Sequence, residues 1–250
     1  MPRAAKQHHI ELRKKRILRQ AGFKLTRPTT QQRLRITFAK GEEIKYISHL
    51  DLMRLWERTL RRAQVPLAYS RGFNPRPKIA VAAPLPVGFT SRGEVMDIVL
   101  ERRISPYNFA KCLAPHLPPG LDVLSVEEVY PKLPSLQSQV RSAEYRVTVS
   151  WDGSQEEMQG RLLAERVRQL LSAEQLLRQR RSRHYDLRPL IEDLWVEGKE
   201  ANGWVLGMRL RAGDEGTGRP DEVLDALGLV EEPYAVRRER LLFGPVSSEY

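Results

Sequence analysis

Cysteine is nearly absent: Cys112 is the single thiol in 250 residues. One cysteine excludes an internal disulfide, and it excludes a self-contained zinc-thiolate or iron–sulfur site, which needs three or four thiolates. Long apolar runs are missing too. No stretch reaches the eighteen or so apolar residues of a membrane span, and Met1 to Arg35 lacks the apolar block and small-residue cleavage site of a secretory signal. Glycine-rich phosphate loops, H-E-x-x-H and G-x-S-x-G are also absent. No cofactor of its own and no nucleotide-hydrolysing or hydrolase centre is therefore predicted. What remains is a soluble cytoplasmic chain, with 41% apolar residues to fill a core.

Acidic residues are scarce at one end. Residues 1–35 carry eleven basic side chains and one acid, Glu11, so this segment supplies +10 of the net +11. The other 215 residues hold 31 basic and 30 acidic groups and are close to neutral. Lys14, Lys15 and Arg16 lie in a polar stretch with too few apolar residues for a core, followed by the linker-like Thr26 to Gln32. Residues 1–32 read as a basic, disordered arm that meets polyphosphate with release of counterions. A solvating tail, an acidic protein or lipid headgroups satisfy the same electrostatics.

From residue 33 the pattern is regular. Leu34, Ile36 and Phe38 alternate with Arg33, Arg35 and Thr37, the period of a half-buried strand. Ser48 and Asp51 then start a helix carrying Leu52, Leu55, Trp56, Leu60 and Ala63 at helical spacing, which ends near Gln64, before Pro66. Extended pieces follow at 67–69, 78–82 and 94–100, a helix opens on Ser105 and Pro106, and a strand covers Leu121 to Val129. After a connector the order recurs. A strand alternates through Tyr145, Val147, Val149 and Trp151, and a helix carries Met158, Leu162, Val167, Leu170 and Leu171. Extended segments cover 176–187 and 194–197, a strand carries Trp204 to Leu210, and a helix from Pro220 closes at Gly228 before a strand at 236–243. The predicted class is α+β: two ferredoxin-like βαββαβ units in tandem at 33–130 and 141–250, joined by a linker at 131–140. A single larger α+β domain is the alternative.

Three features point to nucleic acid. Arg54, Arg58, Arg61 and Arg62 form a basic stripe opposite the apolar face of the first helix, which can track phosphates or be an ordinary solvated face. The loop Ser70 to Lys78 is stiffened by Pro75 and Pro77 and carries Arg71, Arg76 and Lys78 beside Phe73 and Tyr69. It lacks an acid, so its cations suit phosphates and its rings suit unpaired bases; the alternative is a structural turn. In the second half, Arg178, Arg180, Arg181, Arg183 and Arg188 surround His184, Tyr185 and Asp186, either as an RNA-facing surface or as a charged strand edge. His49, in the first helical turn, is the one candidate general base, for an RNA-cleaving reaction, but no second acid or base accompanies it by spacing. Packing or capping is its plainer role. Cys112, between Phe109 and Leu113 on a predicted helix, reads as buried.

The tracts Lys45-Tyr46-Ile47-Ser48-His49-Leu50-Asp51-Leu52, Arg71-Gly72-Phe73-Asn74-Pro75-Arg76-Pro77 and Pro84-Leu85-Pro86-Val87-Gly88, with the later His184-Tyr185-Asp186-Leu187-Arg188-Pro189, resemble the radical SAM-linked protein family. The resemblance covers residues 33 to 243 and excludes the arm. It implies a partner rather than an activity: members occur beside, or fused to, a radical SAM protein with a predicted cobalamin-binding region, and in some genomes beside a ribonuclease of the E/G type. Paired ferredoxin-like domains also resemble RNA-processing proteins of CRISPR systems, an analogy of fold alone. The expected function is an RNA-binding accessory protein that presents tRNA or ribosomal RNA to a separate radical SAM enzyme. The alternatives are a metal-independent endoribonuclease using His49 and a protein-only scaffold.

Overall fold

The structure is a computed structural model that describes residues 31–150, 156–180, 182–201, 203–213 and 216–244. Leu34, Ile36 and Phe38 form the buried row of β1 (Gln32–Lys40). α1 (His49–Arg62) starts on Ser48, whose Oγ accepts the Asp51 amide at 3.2 Å and donates to Asp51 Oδ2 at 2.8 Å. The start signal is thus used, with the carboxylate answering the hydroxyl. Leu52, Trp56 and Leu60 make its buried face, and Trp56 meets Phe38 edge-on at 5.0 Å between centroids. The helix ends at Gln64, which takes a left-handed φ of 55° while Val65 N–H closes on the Leu60 carbonyl.

β2 (Ile79–Val81), β3 (Thr90–Leu100), α2 (Pro106–Leu113) and β4 (Leu121–Val129) complete the first half. Their lateral order is β4-β1-β3-β2, antiparallel throughout. The second half runs α3 (Leu136–Gln139, one turn), β5 (Val140–Val149), α4 (Glu156–Ser172), the hairpin of β6 (Leu177–Arg180) and β7 (Arg183–Asp186), β8 (Ile191–Glu200), β9 (Gly203–Gly213), β10 (Gly216–Thr217), α5 (Pro220–Ala226) and β11 (Tyr234–Phe243). Apart from the hairpin and β10, its order is β11-β5-β9-β8. Both halves therefore follow the sequence fourth, first, third, second. β11 then lies parallel to β3, which joins them into one sheet of nine strands. The architecture is mixed α+β, a large mixed sheet with few helices, and no helix among the described residues is long and apolar enough to cross a membrane.

Two apolar clusters fill the fold. One packs α1 and α2 on β1 and β3; the other packs α4 and α5 on β5, β9 and β11 and also takes in Leu85, Phe89 and Val95 from the first half. The join between halves is polar and fully shielded. Arg238 of β11, 1% exposed, donates through Nε to Glu94 Oε1 of β3 at 2.8 Å, through Nη2 to Glu94 Oε2, and again to the Ala83 carbonyl at 2.9 Å. Burial opposes the charge of Arg238, and Glu94 more than offsets it, so its pKa lies above the ordinary guanidinium value. Ser91 Oγ donates to the Arg238 carbonyl at 3.0 Å. The backbones approach so closely that a Cβ on Gly93 would fall 2.5 Å from the Glu239 carbonyl oxygen. Lys40 is also buried and donates from Nζ to the Lys45 carbonyl at 2.9 Å; burial pulls its pKa down, against the attraction of Glu94.

Several sequence expectations are corrected. Arg33 and Arg35 lie on β1, as the alternation predicts, but they are not part of the free positive charge counted with the arm, because both grip the buried Asp97 of β3: Arg33 Nη2 at 2.6 Å and Arg35 Nε at 2.9 Å. The second face of β1 is partly covered as well, and Arg33 also donates to the carbonyls of Leu133 and Pro134. The connector is thereby pinned, with Leu136 completely buried. β3 begins at Thr90 and β5 at Val140, earlier than the alternation predicts, since pairing with β11 and β9 continues past the regular apolar rows. Cys112 is exposed, because Phe109 and Leu113 take the buried face of α2 and leave it on the other side.

Removing one member of a buried ion pair leaves the other charge uncompensated. Arg238→Met is expected to lower stability by about 3–5 kcal/mol in urea unfolding, and Glu94→Leu in the same chain should restore most of it. Arg54→Ala, which breaks the exposed pair with Asp51, should change stability by about 1 kcal/mol or less. Equal losses in the two variants would contradict the assignment.

Candidate nucleic-acid interface

The loop Ser70 to Lys78 leaves the sheet through a stitched neck. Ala68 N–H donates to the Val99 carbonyl at 2.8 Å, Lys78 N–H to the Ala68 carbonyl at 2.8 Å, and Val99 N–H to the Lys78 carbonyl at 3.0 Å. Inside it, Tyr69 bridges to Pro77, Ser70 N–H donates to the Arg76 carbonyl at 2.8 Å, and Arg76 N–H donates to Ser70 Oγ at 2.9 Å. Gly72 supplies the positive φ of 135° at the tip. Arg71, Arg76 and Lys78 point into solvent, Phe73 is fully exposed and Tyr69 is 43% exposed. A rigid base thus presents a ring and three cations with no acid among them.

α1 carries Arg54, Arg58, Arg61 and Arg62 on its exposed side. Arg54 is held by Asp51 at 3.1 Å, and its hydrogen bond with that of Ser48, the larger cause, keeps the Asp51 pKa below the usual carboxylate value. Arg61 and Arg62 stand at the helix C-terminus, where the dipole favours cations. From there the chain reaches Leu67, which bridges to Leu100, and Glu101 N–H donates to the Pro66 carbonyl. The end of the stripe, the neck of the loop and the end of β3 therefore meet. Arg61, Arg62, Arg71, Arg76, Lys78 and the exposed Arg102 gather at this end of the sheet, and among the described residues none of them has an ion pair or a side-chain hydrogen bond. Arg102 escapes sequence reasoning because nothing marks it within the mixed-charge Glu101-Arg102-Arg103 run.

The second half is different. Arg180 lies on Glu222 (Nε–Oε1 2.8 Å, Nη2–Oε2 2.6 Å) and over the Tyr185 ring at 5.0 Å, and Arg178 reaches Asp225 at 3.5 Å. Arg146 bonds Glu197 and Glu200, while Arg209 and Arg240 share Glu144, whose pKa they hold down. Arg188 donates to the Leu171 carbonyl at 2.8 Å and the Ile191 carbonyl at 2.9 Å, which caps α4 and occupies its guanidinium internally. Asp186 Oδ1 accepts from Leu176 N–H and Arg188 N–H, so the His184 to Pro189 tract braces the hairpin. Arg181, the side chain of Arg183, and Lys14, Lys15 and Arg16 lie outside the described residues. His49 is the first residue of α1; its Nδ1 is shielded and meets no hydrogen-bond partner among the described residues. The tracts around Tyr46 and Val87 meet through Gly88 N–H on the Lys45 carbonyl at 2.9 Å, at the opposite end of the sheet from the loop.

Burial, with the hydrogen bond to Glu222, pushes the Tyr185 hydroxyl up to about 12, from 10.0 in the free side chain. A raised folded-state pKa contributes stability that is fully present below pH 10 and lost as pH rises toward 12. The thermal midpoint should therefore fall across that window, and Tyr185→Phe should make the fall shallower. An identical alkaline profile for the variant would contradict this.

Residues 33–220 match the family DUF2344, described as "Uncharacterized protein conserved in bacteria". None of the curated proteins matches the chain in sequence. Among solved structures it is similar to a chain of a Cbf5-Nop10-Gar1 complex, at 11% identity and a TM-score of 0.43 over 87% of this chain and 50% of that one. It is also similar to a chain of the archaeal box H/ACA sRNP Nop10-Cbf5 complex, at 11% identity and 0.39 over 87% and 49%. An unknown protein from Galdieria sulphuraria follows at 14% identity and 0.24 over 83% and 98%. The chain spans about half the length of its matches in the two complexes.

Proposed function

The chain belongs to the DUF2344 family of bacterial proteins, and from that premise we propose that it is an RNA-binding accessory protein of the cytoplasm that presents structured RNA, tRNA or ribosomal RNA, to a separate radical SAM enzyme. The observation that carries this reading is the segregation of uncommitted cations. Every arginine of the second half with a described side chain is engaged by a carboxylate, a carbonyl or another internal partner, whereas Arg61, Arg62, Arg71, Arg76, Lys78 and Arg102 remain open beside the exposed Phe73. Cations alone would suit any polyanion. A fully exposed ring on a stiff loop among them adds a stacking platform for an unpaired base, which favours single-stranded regions of RNA over an acidic protein. The partner rests on the resemblance of the Lys45, Arg71 and Pro84 tracts to the radical SAM-linked family. Radical SAM clusters need several cysteine ligands and this sequence has Cys112 alone, so the radical chemistry would reside elsewhere. The shared strand order of the two halves supports their reading as tandem ferredoxin-like units.

The test is RNA binding across a salt series, with total tRNA and ribosomal RNA as ligands. Arg71→Ala with Arg76→Ala should weaken binding and lower the slope of log affinity against log salt by about two. Phe73→Ala should weaken binding by about 1–3 kcal/mol, roughly five- to 150-fold, without changing that slope. Arg240→Ala, in the second half, should change neither. Unaltered binding in both loop variants contradicts the interface, and cleavage of the RNA that disappears in His49→Ala would move the assignment to an endoribonuclease.

A further inference from the structure

The sheet of nine strands ends on an open edge. β4 has β1 on one side and, among the described residues, no strand on the other. Leu124 is the extra residue of a bulge opposite the step from Thr37 to Phe38, and beyond it 125–129 pair in unbroken register with 33–37. Such an edge presents unpaired amides and carbonyls to a further extended segment. Its side chains restrict which segment fits. Asp122 and Glu127 stand on the face of β4 turned away from α1 and α2; both are exposed, and neither has an ion pair or a side-chain hydrogen bond among the described residues. Glu128, the third acid of the strand, is already held by Arg103 and Gln32. Leu124 and Tyr130, each more than half exposed, flank the regular run. The other edge, β8, differs: Glu197 and Glu200 are taken by Arg146, Glu192 lies 3.9 Å from Arg211, and the register breaks twice. β4 therefore suits an extended segment that brings cations and a few apolar side chains.

A second copy of β4 does not meet that requirement, because antiparallel pairing of two such strands lines the carboxylates of both copies along one join. The beginning of the chain itself does. Residues 13–19 hold five cations, Ile17, Leu18 and no acid. The chain also enters the fold at the right place, since Arg33 of β1 pairs with Val129 at the end of β4. Thirteen residues, 20–32, separate the basic run from that point and can span roughly 40 Å, whereas the nine residues of β4 extend over about 30 Å. The run can thus reach any part of the edge. Tethering at this range holds it at an effective concentration on the order of millimolar, enough to populate a weak strand pairing. We propose that residues 13–19 dock along the outer edge of β4 as an added strand, with their cations on Asp122 and Glu127. The docked arm closes an edge that otherwise invites pairing with other chains. This inference concerns the arm and β4 and stands independently of the RNA-binding reading of the loop.

The test follows amide hydrogen exchange in the full chain at those amides of 125–129 that do not bond β1. They should be protected. Lys14→Glu with Lys15→Glu and Arg16→Glu, a variant that alters no residue of the sheet, should speed their exchange about tenfold. Asp122→Lys with Glu127→Lys should do the same, and the two sets combined should restore the protection, because both partners are then reversed. In the unaltered chain a carbodiimide, which joins an amine to a carboxylate in contact with it, should link Lys14 or Lys15 to Asp122 or Glu127. If the reversals in β4 unfold the chain, the arm variant and the cross-link decide alone. Exchange in the unaltered chain as fast as in the arm variant, or absence of the cross-link, overturns the proposal. Protection that falls on dilution overturns it as well, since the edge would then hold the arm of another copy.

Discussion

One buried ion pair sets the relation between the two halves. Glu94 and Arg238 are 144 residues apart in sequence and are almost completely removed from water, and each supplies the bidentate counter-charge that makes the other tolerable there. The strands that carry them share just two parallel residue pairs, Arg237 with Thr90 and Arg238 with Ser91, too few to hold the edges together by backbone bonding alone. Gly93 allows the close approach, the salt bridge fixes its register, and Leu85 and Phe89 then cross into the second core. Arg238 also holds the 82–86 segment against the second half through the Ala83 carbonyl.

The net charge of +11 acquires meaning only once the partners are known. The globular part is nearly balanced by count, yet the balance is local. Acids of the second half sit between arginines: Glu144 under Arg209 and Arg240, and Glu222 under Arg180. Asp97 consumes two arginines in the first half. Six exposed cations with no ion pair among the described residues are thereby left at the loop end of the sheet, beside Phe73. Segregation of this kind steers a polyanion toward one surface while leaving the rest of the fold electrostatically quiet.

Local signals in the sequence were sufficient wherever the structure is governed by near neighbours. The Ser48 and Ser105 caps, the stop at Gln64 and Pro66, the apolar face of α1 and the residues of β4 follow from spacing and capping chemistry. The loop at 70–78 was legible for the same reason, since its prolines and Gly72 act on their own backbone. What was not legible depends on distant partners. Arg33 and Arg35 read as the exposed face of a half-buried strand until Asp97, more than sixty residues away, neutralises them. Arg188 looks like a surface cation until the end of α4 arrives beneath it. Cys112 shows the reverse: its neighbours Phe109 and Leu113 suggest burial, but those two residues alone fill the buried side of the short helix. The joining of β11 to β3 has no sequence signature, because a parallel contact of two residue pairs leaves no periodicity to read.

The central claim is that the folded body, and not the basic arm, recognises RNA. Its most direct test compares the full chain with one lacking residues 1–30, a truncation that spares Gln32 and its hydrogen bonds to the Ile104 carbonyl and Glu128, in RNA binding across a salt series. The account predicts that the truncated chain still binds a defined RNA with a salt slope reporting several phosphates, reduced from that of the full chain by the share of the nine lysines and arginines in the deleted segment. Disappearance of binding with the arm would contradict it and would leave the cations around Phe73 as an ordinary solvated surface.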